Sequence, residues 1–436
     1  MTVVNLKLRK AYMKTKIENY LKAPIDSGLV IIFSFFVIGW GLAIFWLYVR
    51  AAFRGAEFPY NTFLPAPVTR FGDFYLMYDE WARLGLGGVG YGLSYLPATY
   101  IFVHVLRTIT ENPYDAIVYS QIPLLALLPI IIFFMFRKKG FAFSLIIFLV
   151  ILFSYPNIIA WHTGNIESWI GLLLILASFS WALNRKYLFV IFIGLAGAMK
   201  IYPLIFLSML IVKREKNIIQ SLLLALVTIF GTNIIAITFL ANGILTNGIG
   251  YTKRIIQSLL ESQQMYQELM WYSGSGNAFG HSLLNSIHLF FGENYLPTRQ
   301  FYYVPGIILI MIFIFVLIFN KGNKLTDWKL LTIFGVSACL FVPTSSDYKL
   351  FYLIPGLLVV LYKQVKLYLF DFFIVIMIAS TLFPKPYLYV NISPFANATA
   401  YLTTLTLLIV LVSLLSDLFF SKSSLDISEP DRYRII

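Results

Sequence analysis

The stretch SYPNIIAWHTGNIESWIGLLLILASFSWALNRKYLFVIFIGLAGAMKIYPLIFLSMLIVKR, Ser154–Arg214, decides how the chain is read. It sets a short polar strip, His162-Thr163-Gly164-Asn165-Ile166-Glu167, between two apolar runs. A third run then buries one lysine, Lys200, and follows it with Pro203. A charge at bilayer depth costs about 2.5–3.5 kcal/mol on insertion scales, so Lys200 is expected to face a cavity and to mark a site. The halves flanking it, Tyr187–Met199 and Ile201–Val212, each reach about 18 Å at 1.5 Å per residue, too short to cross a core of about 30 Å. The run is therefore expected to turn at Lys200-Ile201-Tyr202-Pro203 as a re-entrant helical hairpin, whose broken backbone needs a protein-enclosed, wet cavity.

Composition sets the same frame. Of 436 residues, 59% are hydrophobic and only 12% charged, against about 25% charged in soluble domains. The chain is read as an all-α polytopic integral membrane protein. Its net charge of +13 sits at the ends of apolar runs, where the positive-inside rule accounts for it, so no nucleic-acid partner is invoked. Cys339 is the only cysteine and the four histidines lack ligand spacing, which argues against a disulfide or a metal site. The first apolar run is too long for the core of a cleavable signal peptide and lacks a small-residue cleavage site.

Basic residues before the first span, Gly28–Val49, place residues 1–27 in the cytoplasm. Residues 50–115 form a first external loop carrying Arg70, Asp73, Asp79, Glu80 and Arg83, with the apolar Tyr91–Leu106 read as interfacial or re-entrant. Ala116–Phe136, Phe141–Ala160 and Glu167–Leu183 are expected crossings. If Tyr187–Val212 is a hairpin, Lys213-Arg214, Lys321, Lys324, Lys363 and Lys366 all fall on the cytoplasmic side; if it crosses, they do not. After Ile218–Leu240 comes a second external segment, residues 241–300, then Phe301–Phe319, Trp328–Phe341, Leu350–Tyr362, Leu367–Phe383 and Tyr401–Phe419, and a cytoplasmic tail, residues 421–436. The reading is one transmembrane domain over 1–436, with about ten crossings plus the hairpin, about twelve helices in all.

Outside the basic cytoplasmic turns, the clustered ionisable residues gather on the external side of this topology. They include Asp73, Asp79, Glu80, His162, Glu167, Lys200, Arg254 and Lys349. Carboxylates facing several cations at a membrane–water boundary suit a ligand with an anionic phosphate and a group to be deprotonated, as in an enzyme acting on a lipid phosphate.

Asp73-Phe74-Tyr75-Leu76-Met77-Tyr78, Tyr95-Leu96-Pro97, Gly164-Asn165, the block from Gly194 to Leu204 with Lys200 and Pro203, and Ser345-Ser346-Asp347-Tyr348-Lys349-Leu350 resemble the polyprenol-phosphate-mannose-dependent mannosyltransferases of glycosyltransferase family 87, within the GT-C superfamily. The strip reads Gly-Asn where Gly-Gln-x-Asn is common, and the last block lacks the family's usual histidine. The resemblance implies transfer of mannose or another hexose, with inversion, from a polyprenyl-phosphate donor to an extracytoplasmic glycan or glycolipid of the cell envelope. It implies no cofactor and a bacterial plasma membrane. Asp73 would be the base that deprotonates the acceptor hydroxyl. Lys200, Arg254 and Lys349 would stabilise the leaving phosphate, with His162 as a hydrogen-bond donor and Asp79 and Glu80 as secondary acids. Two rival readings are an O-antigen-type polymerase or ligase, leaning on Arg254 and Arg299, and a secondary transporter with Lys200 at a midplane site.

Overall fold

Prolines, glycines and basic turns cut the apolar runs into helices. The computed structural model describes residues 27–54, 72–75, 77–78, 95–240, 303–320, 324–342, 345, 347–363, 369–383 and 398–420, with single positions at 253, 257, 261, 280, 282, 283 and 286. After α1 (Ser27–Arg54), α2 (Pro97–Ile109) and α3 (Pro113–Phe136) each open on a proline, placed where its missing N–H leaves no helical bond unmade. The Asn112 side chain caps α3 by accepting from the Tyr114 N–H at 3.0 Å. Gly140, at φ 101°, turns the chain into α4 (Phe141–Leu152). The run expected to cross as far as Ala160 breaks early, and α5 (Tyr155–Thr163) departs from α4 at 50°. Pro156 in the first turn of α5 removes an N–H and cannot continue the helix before it. The Ser154 hydroxyl takes up a freed acceptor by donating to Ile151 O at 2.7 Å.

After α6 (Glu167–Ala182) the chain folds back on itself. α7 (Lys186–Met199) ends where Lys200 turns to extended backbone, and a 3-10 helix (Tyr202–Leu207) runs into α8 (Ser208–Val212). The Lys186 ammonium lies 2.9 Å from a Glu215 carboxylate oxygen, so both ends of the excursion meet at one level. Gly197 permits the tight return, because a Cβ there would collide with the Leu204 side chain. The expected helical hairpin is present, with its second arm wound largely as a 3-10 helix. α9 (Ile218–Leu240) then packs along α7 and α2.

The C-terminal half comprises α10 (Val304–Phe319), α11 (Asp327–Leu340), a 3-10 helix (Asp347–Leu353), α12 (Ile354–Lys363), α13 (Leu369–Thr381) and α14 (Ala398–Phe420). α11 is buried from Trp328 to Leu340 and forms the axis of the core, wrapped by α12, α14 and the 3-10 helix. Three described helices are long and apolar enough to cross a bilayer: Pro113–Phe136, Ile218–Phe239 and Tyr401–Phe419. The bent α4–α5 pair makes a fourth candidate. The other described apolar helices that follow α1 are shorter. α9 exposes Leu223, Val227, Phe230 and Ile234 at helical spacing, a stripe suited to lipid.

Basic turns gather at one end of the bundle. Asp327 pairs with Lys213 at 3.0 Å and Lys363 at 2.6 Å, next to the Lys186–Glu215 pair. Lys329 reaches Asp371 at 2.6 Å and Asp417 at 2.8 Å, tying α11 to α13 and α14. Phe136 and Phe179 both meet the Tyr362 ring, which brings the ends of α3 and α6 to the same level. The polar strip and Lys200 lie at the other end.

Within the core, Gly335 of α11 backs onto the Tyr352 carbonyl, where a Cβ would strike backbone that cannot swing away. Gly335→Ala is therefore expected to lower stability by about 1–3 kcal/mol, despite alanine's better helix propensity. Thermal unfolding of the purified protein in detergent checks this, and Gly306→Ala, with open space at its Cβ position, is the control.

Candidate active site

The site starts from one turn. α5 ends at Gly164, whose φ of 67° suits a residue without a side chain, and the N–H groups of Gly164 and Asn165 close back on Trp161 O and Ala160 O at 3.2 and 2.8 Å. A Cβ on Gly164 would also come within 2.6 Å of the Phe74 Cβ. The left-handed cap and the close approach of the Asp73 segment thus both demand glycine at this position.

Asp73 lies in the helical residues 72–75. Phe74, Met77 and Tyr78 bury into the main core and seat the segment. α2 holds it from outside: the Arg107 guanidinium stacks 4.5 Å from the Tyr78 ring centre and donates to Tyr78 O at 3.3 Å. Tyr78 in turn donates its hydroxyl to Glu111 O at 2.9 Å. An interfacial or re-entrant stretch was expected at Tyr91–Leu106; its second half is α2, with one face buried against α9 and α3.

A continuous polar chain links Asp73 to the core. Asn165 donates through Nδ2 to Asp73 Oδ2 at 2.7 Å, and its Oδ1 accepts from Lys200 Nζ at 3.2 Å. Lys200 also pairs with Glu167 Oε1 at 3.1 Å, and Glu167 is fully buried. The Tyr352 hydroxyl donates to the other Glu167 oxygen at 3.4 Å. The rings of Tyr95 and Tyr348 flank the Lys200 ammonium at 5.0 and 5.2 Å. Residues distant in sequence thus converge on one lysine whose charge is matched and hydrogen-bonded, the condition for keeping it at such a depth.

Lys349 is buried beside this chain, its ammonium 4.1 Å from the centre of the Tyr202 ring, where Lys200 and Glu167 act on it electrostatically with opposite sign. Its carbonyl accepts from the buried Cys339 thiol at 3.3 Å. His162 sits half-buried in the last turn of α5, two residues before Gly164. Asp79, Glu80 and Arg254 lie outside the described residues, as does Arg299. Among the described residues no three His, Cys, Asp or Glu side chains gather into a metal site.

Of the sequence-derived candidates, Asp73 and Lys200 therefore share one network, and Lys349 adjoins it. Sequence reasoning did not single out Tyr352, which lies in an apolar run, or the bridging role of Asn165. The usable signal for Asn165 was its place directly after a glycine that ends an apolar helix.

The pair at the centre carries a stability consequence. Lys200→Met leaves the Glu167 charge buried without its partner and is expected to cost about 3–5 kcal/mol. Lys200→Met combined with Glu167→Gln is expected to cost less than Lys200→Met alone. Thermal unfolding of Lys200→Met, Glu167→Gln and the double variant in detergent measures that coupling.

Comparison with known proteins supplies the class of chemistry. The profile of glycosyltransferase family 87 matches residues 97–343, more than half of the chain, a span that contains Asn165, Glu167 and Lys200, with Asp73 and Lys349 flanking it. No curated protein and no solved structure matches. With a family match of that extent, the chain belongs to glycosyltransferase family 87.

Proposed function

We propose that the protein transfers mannose or another hexose from a polyprenyl-phosphate donor to an extracytoplasmic glycan or glycolipid of a bacterial cell envelope, with inversion at the anomeric carbon. The observation that carries this reading is the chain Asp73–Asn165–Lys200–Glu167, which joins a half-buried carboxylate to a charge-matched lysine at the end of the bundle opposite the basic turns. The positive-inside rule makes the basic end cytoplasmic, so the site faces outward, as a lipid-linked donor presented on the outer leaflet requires.

Asp73 accepts the proton of the acceptor hydroxyl as its oxygen attacks the anomeric carbon. The carbon–oxygen bond to phosphate breaks on the opposite side, and polyprenyl phosphate leaves with the electron pair. That leaving group is already stabilised as a phosphate monoester, so it calls for positive charge more than for an acid. Lys200 and Lys349, the latter buried beside the network with its ammonium against the Tyr202 ring, are the described lysines placed to stabilise the departing phosphate. Arg254 and His162 are further candidates for contacts with the donor, and Asp79 and Glu80 for secondary acids.

Family membership sets the chain among glycosyltransferases and turns away from a carrier with Lys200 at a midplane site. A hydroxyl nucleophile also needs a base, which Asp73 supplies and external arginines do not.

The test is sugar transfer by purified protein in nanodiscs, offered radiolabelled polyprenyl-phosphate hexoses and native membrane lipids as acceptors. Asp73→Asn is expected to lower kcat by about 10²–10⁴-fold while donor binding persists. Undiminished transfer by that variant would remove Asp73 as the base and leave the enzyme class standing.

A further inference from the structure

We propose that Asn165 is a positioning residue for the Asp73 carboxylate, holding Oδ2 so that Oδ1 is the oxygen that takes the acceptor's proton. The proposal rests on the reading of Asp73 as the base.

The hydrogen-bond arithmetic at Asn165 leaves one orientation. Its side-chain amide has two donor hydrogens on Nδ2 and two acceptor sites on Oδ1. The Glu167 backbone N–H, 3.0 Å away, and the Lys200 ammonium, 3.2 Å away, can only donate, so both must meet the oxygen. Turning the amide over would set its NH2 against two donors. Nδ2 therefore faces Asp73 Oδ2 at 2.7 Å, with the Tyr95 hydroxyl at a longer 3.5 Å on its other side. An ionised carboxylate only accepts, so this contact is correctly polarised for a base awaiting a proton.

The restraint is anchored behind Asn165 as well. Its backbone N–H is fixed to Ala160 O at 2.8 Å in the turn after Gly164, and Lys200 is itself held by the fully buried Glu167. Both the position and the rotation of the amide are thus set by protein groups other than Asp73. In the transfer step the proton passes from the acceptor hydroxyl to Asp73 Oδ1, the hydroxyl oxygen bonds to the anomeric carbon, and the carbon–phosphate oxygen bond breaks. Asn165 takes no part in the proton transfer; it fixes the direction from which the carboxylate meets the hydroxyl.

Asn165→Asp separates this role from simple packing. The new carboxylate is nearly isosteric and still accepts from Lys200 and the Glu167 N–H, but it presents an acceptor to Asp73 where a donor stood. Transfer of mannose, or of whichever hexose the wild type transfers in the donor panel, is compared among wild type, Asn165→Asp, Asp73→Asn and the double variant. The expected result for Asn165→Asp is a kcat lower by about 10–100-fold with KM within about threefold of wild type, since a small misplacement of a reacting group costs on that scale. The double variant is expected to be no slower than Asp73→Asn, because both changes act on one step.

A kcat for Asn165→Asp within about threefold of wild type, with Asp73→Asn inactive, overturns the positioning role and spares the base. Full activity of Asp73→Asn defeats the base reading itself. A second measurement needs no substrate. The double variant rebuilds the contact with donor and acceptor exchanged, so its thermal stability should exceed that of Asn165→Asp alone. A double variant that is no more stable than Asn165→Asp would mean the contact does not form as described, and the proposal falls.

Discussion

A lysine kept at membrane depth is tolerable only with its charge matched, and the Lys200–Glu167 pair meets that condition at 3.1 Å with Glu167 sealed from solvent. Much of the architecture follows from satisfying it. α7 must stop at Lys200 so that the ammonium can leave the helix and reach the strip, and Pro203 ensures that the helix does not resume in the same direction. The strip must turn sharply, which Gly164 permits, so that Asn165 and Glu167 both face the lysine. Tyr352, backed by Gly335 of the central helix, closes the far side by donating to Glu167.

The same pair explains how a surface carboxylate becomes part of a rigid site. Asp73 lies in the helical residues 72–75, pressed onto Gly164 through Phe74, and Arg107 of α2 holds Tyr78 just beyond them. Among the described residues, the link from Asp73 to the buried charges runs through Asn165. A mobile loop would lose catalytic precision, whereas a segment locked against a charge-matched core is preorganised. Removing a charge from the centre should therefore be felt at Asp73 even though no direct contact joins them.

Much of the scaffold is legible in the sequence because membrane physics is local. The hairpin could be read from two short apolar halves around Lys200-Ile201-Tyr202-Pro203, and the Lys186–Glu215 contact shows the chain returning to its starting level. The gathering of basic turns at one end followed from that single decision. Other features escaped for equally physical reasons. The 50° break between α4 and α5 hides inside a run long enough to read as one crossing, marked only by the brief dip at Ser154-Tyr155-Pro156-Asn157. The second arm of the hairpin is too short to reveal whether it winds as an α or a 3-10 helix. The site was legible as a set of residue types, but not as a network, since Asn165 meets a carboxylate 92 positions away and Glu167 a tyrosine 185 positions away. Such pairings depend on packing that no local pattern encodes.

The central claim is that sugar transfer takes place at the end of the bundle where Asp73 and Lys200 converge. A structure of the protein in nanodiscs with a non-hydrolysable polyprenyl-phosphonate mannose analogue tests it directly. The account predicts the anomeric carbon within about 7 Å of the Asp73 carboxylate, because an acceptor hydroxyl must fit between them at about 3 Å from each. The phosphonate should lie on the Lys349 side. A donor bound at the basic end of the bundle, or with its sugar too far from Asp73 for one hydroxyl to bridge the gap, would contradict it.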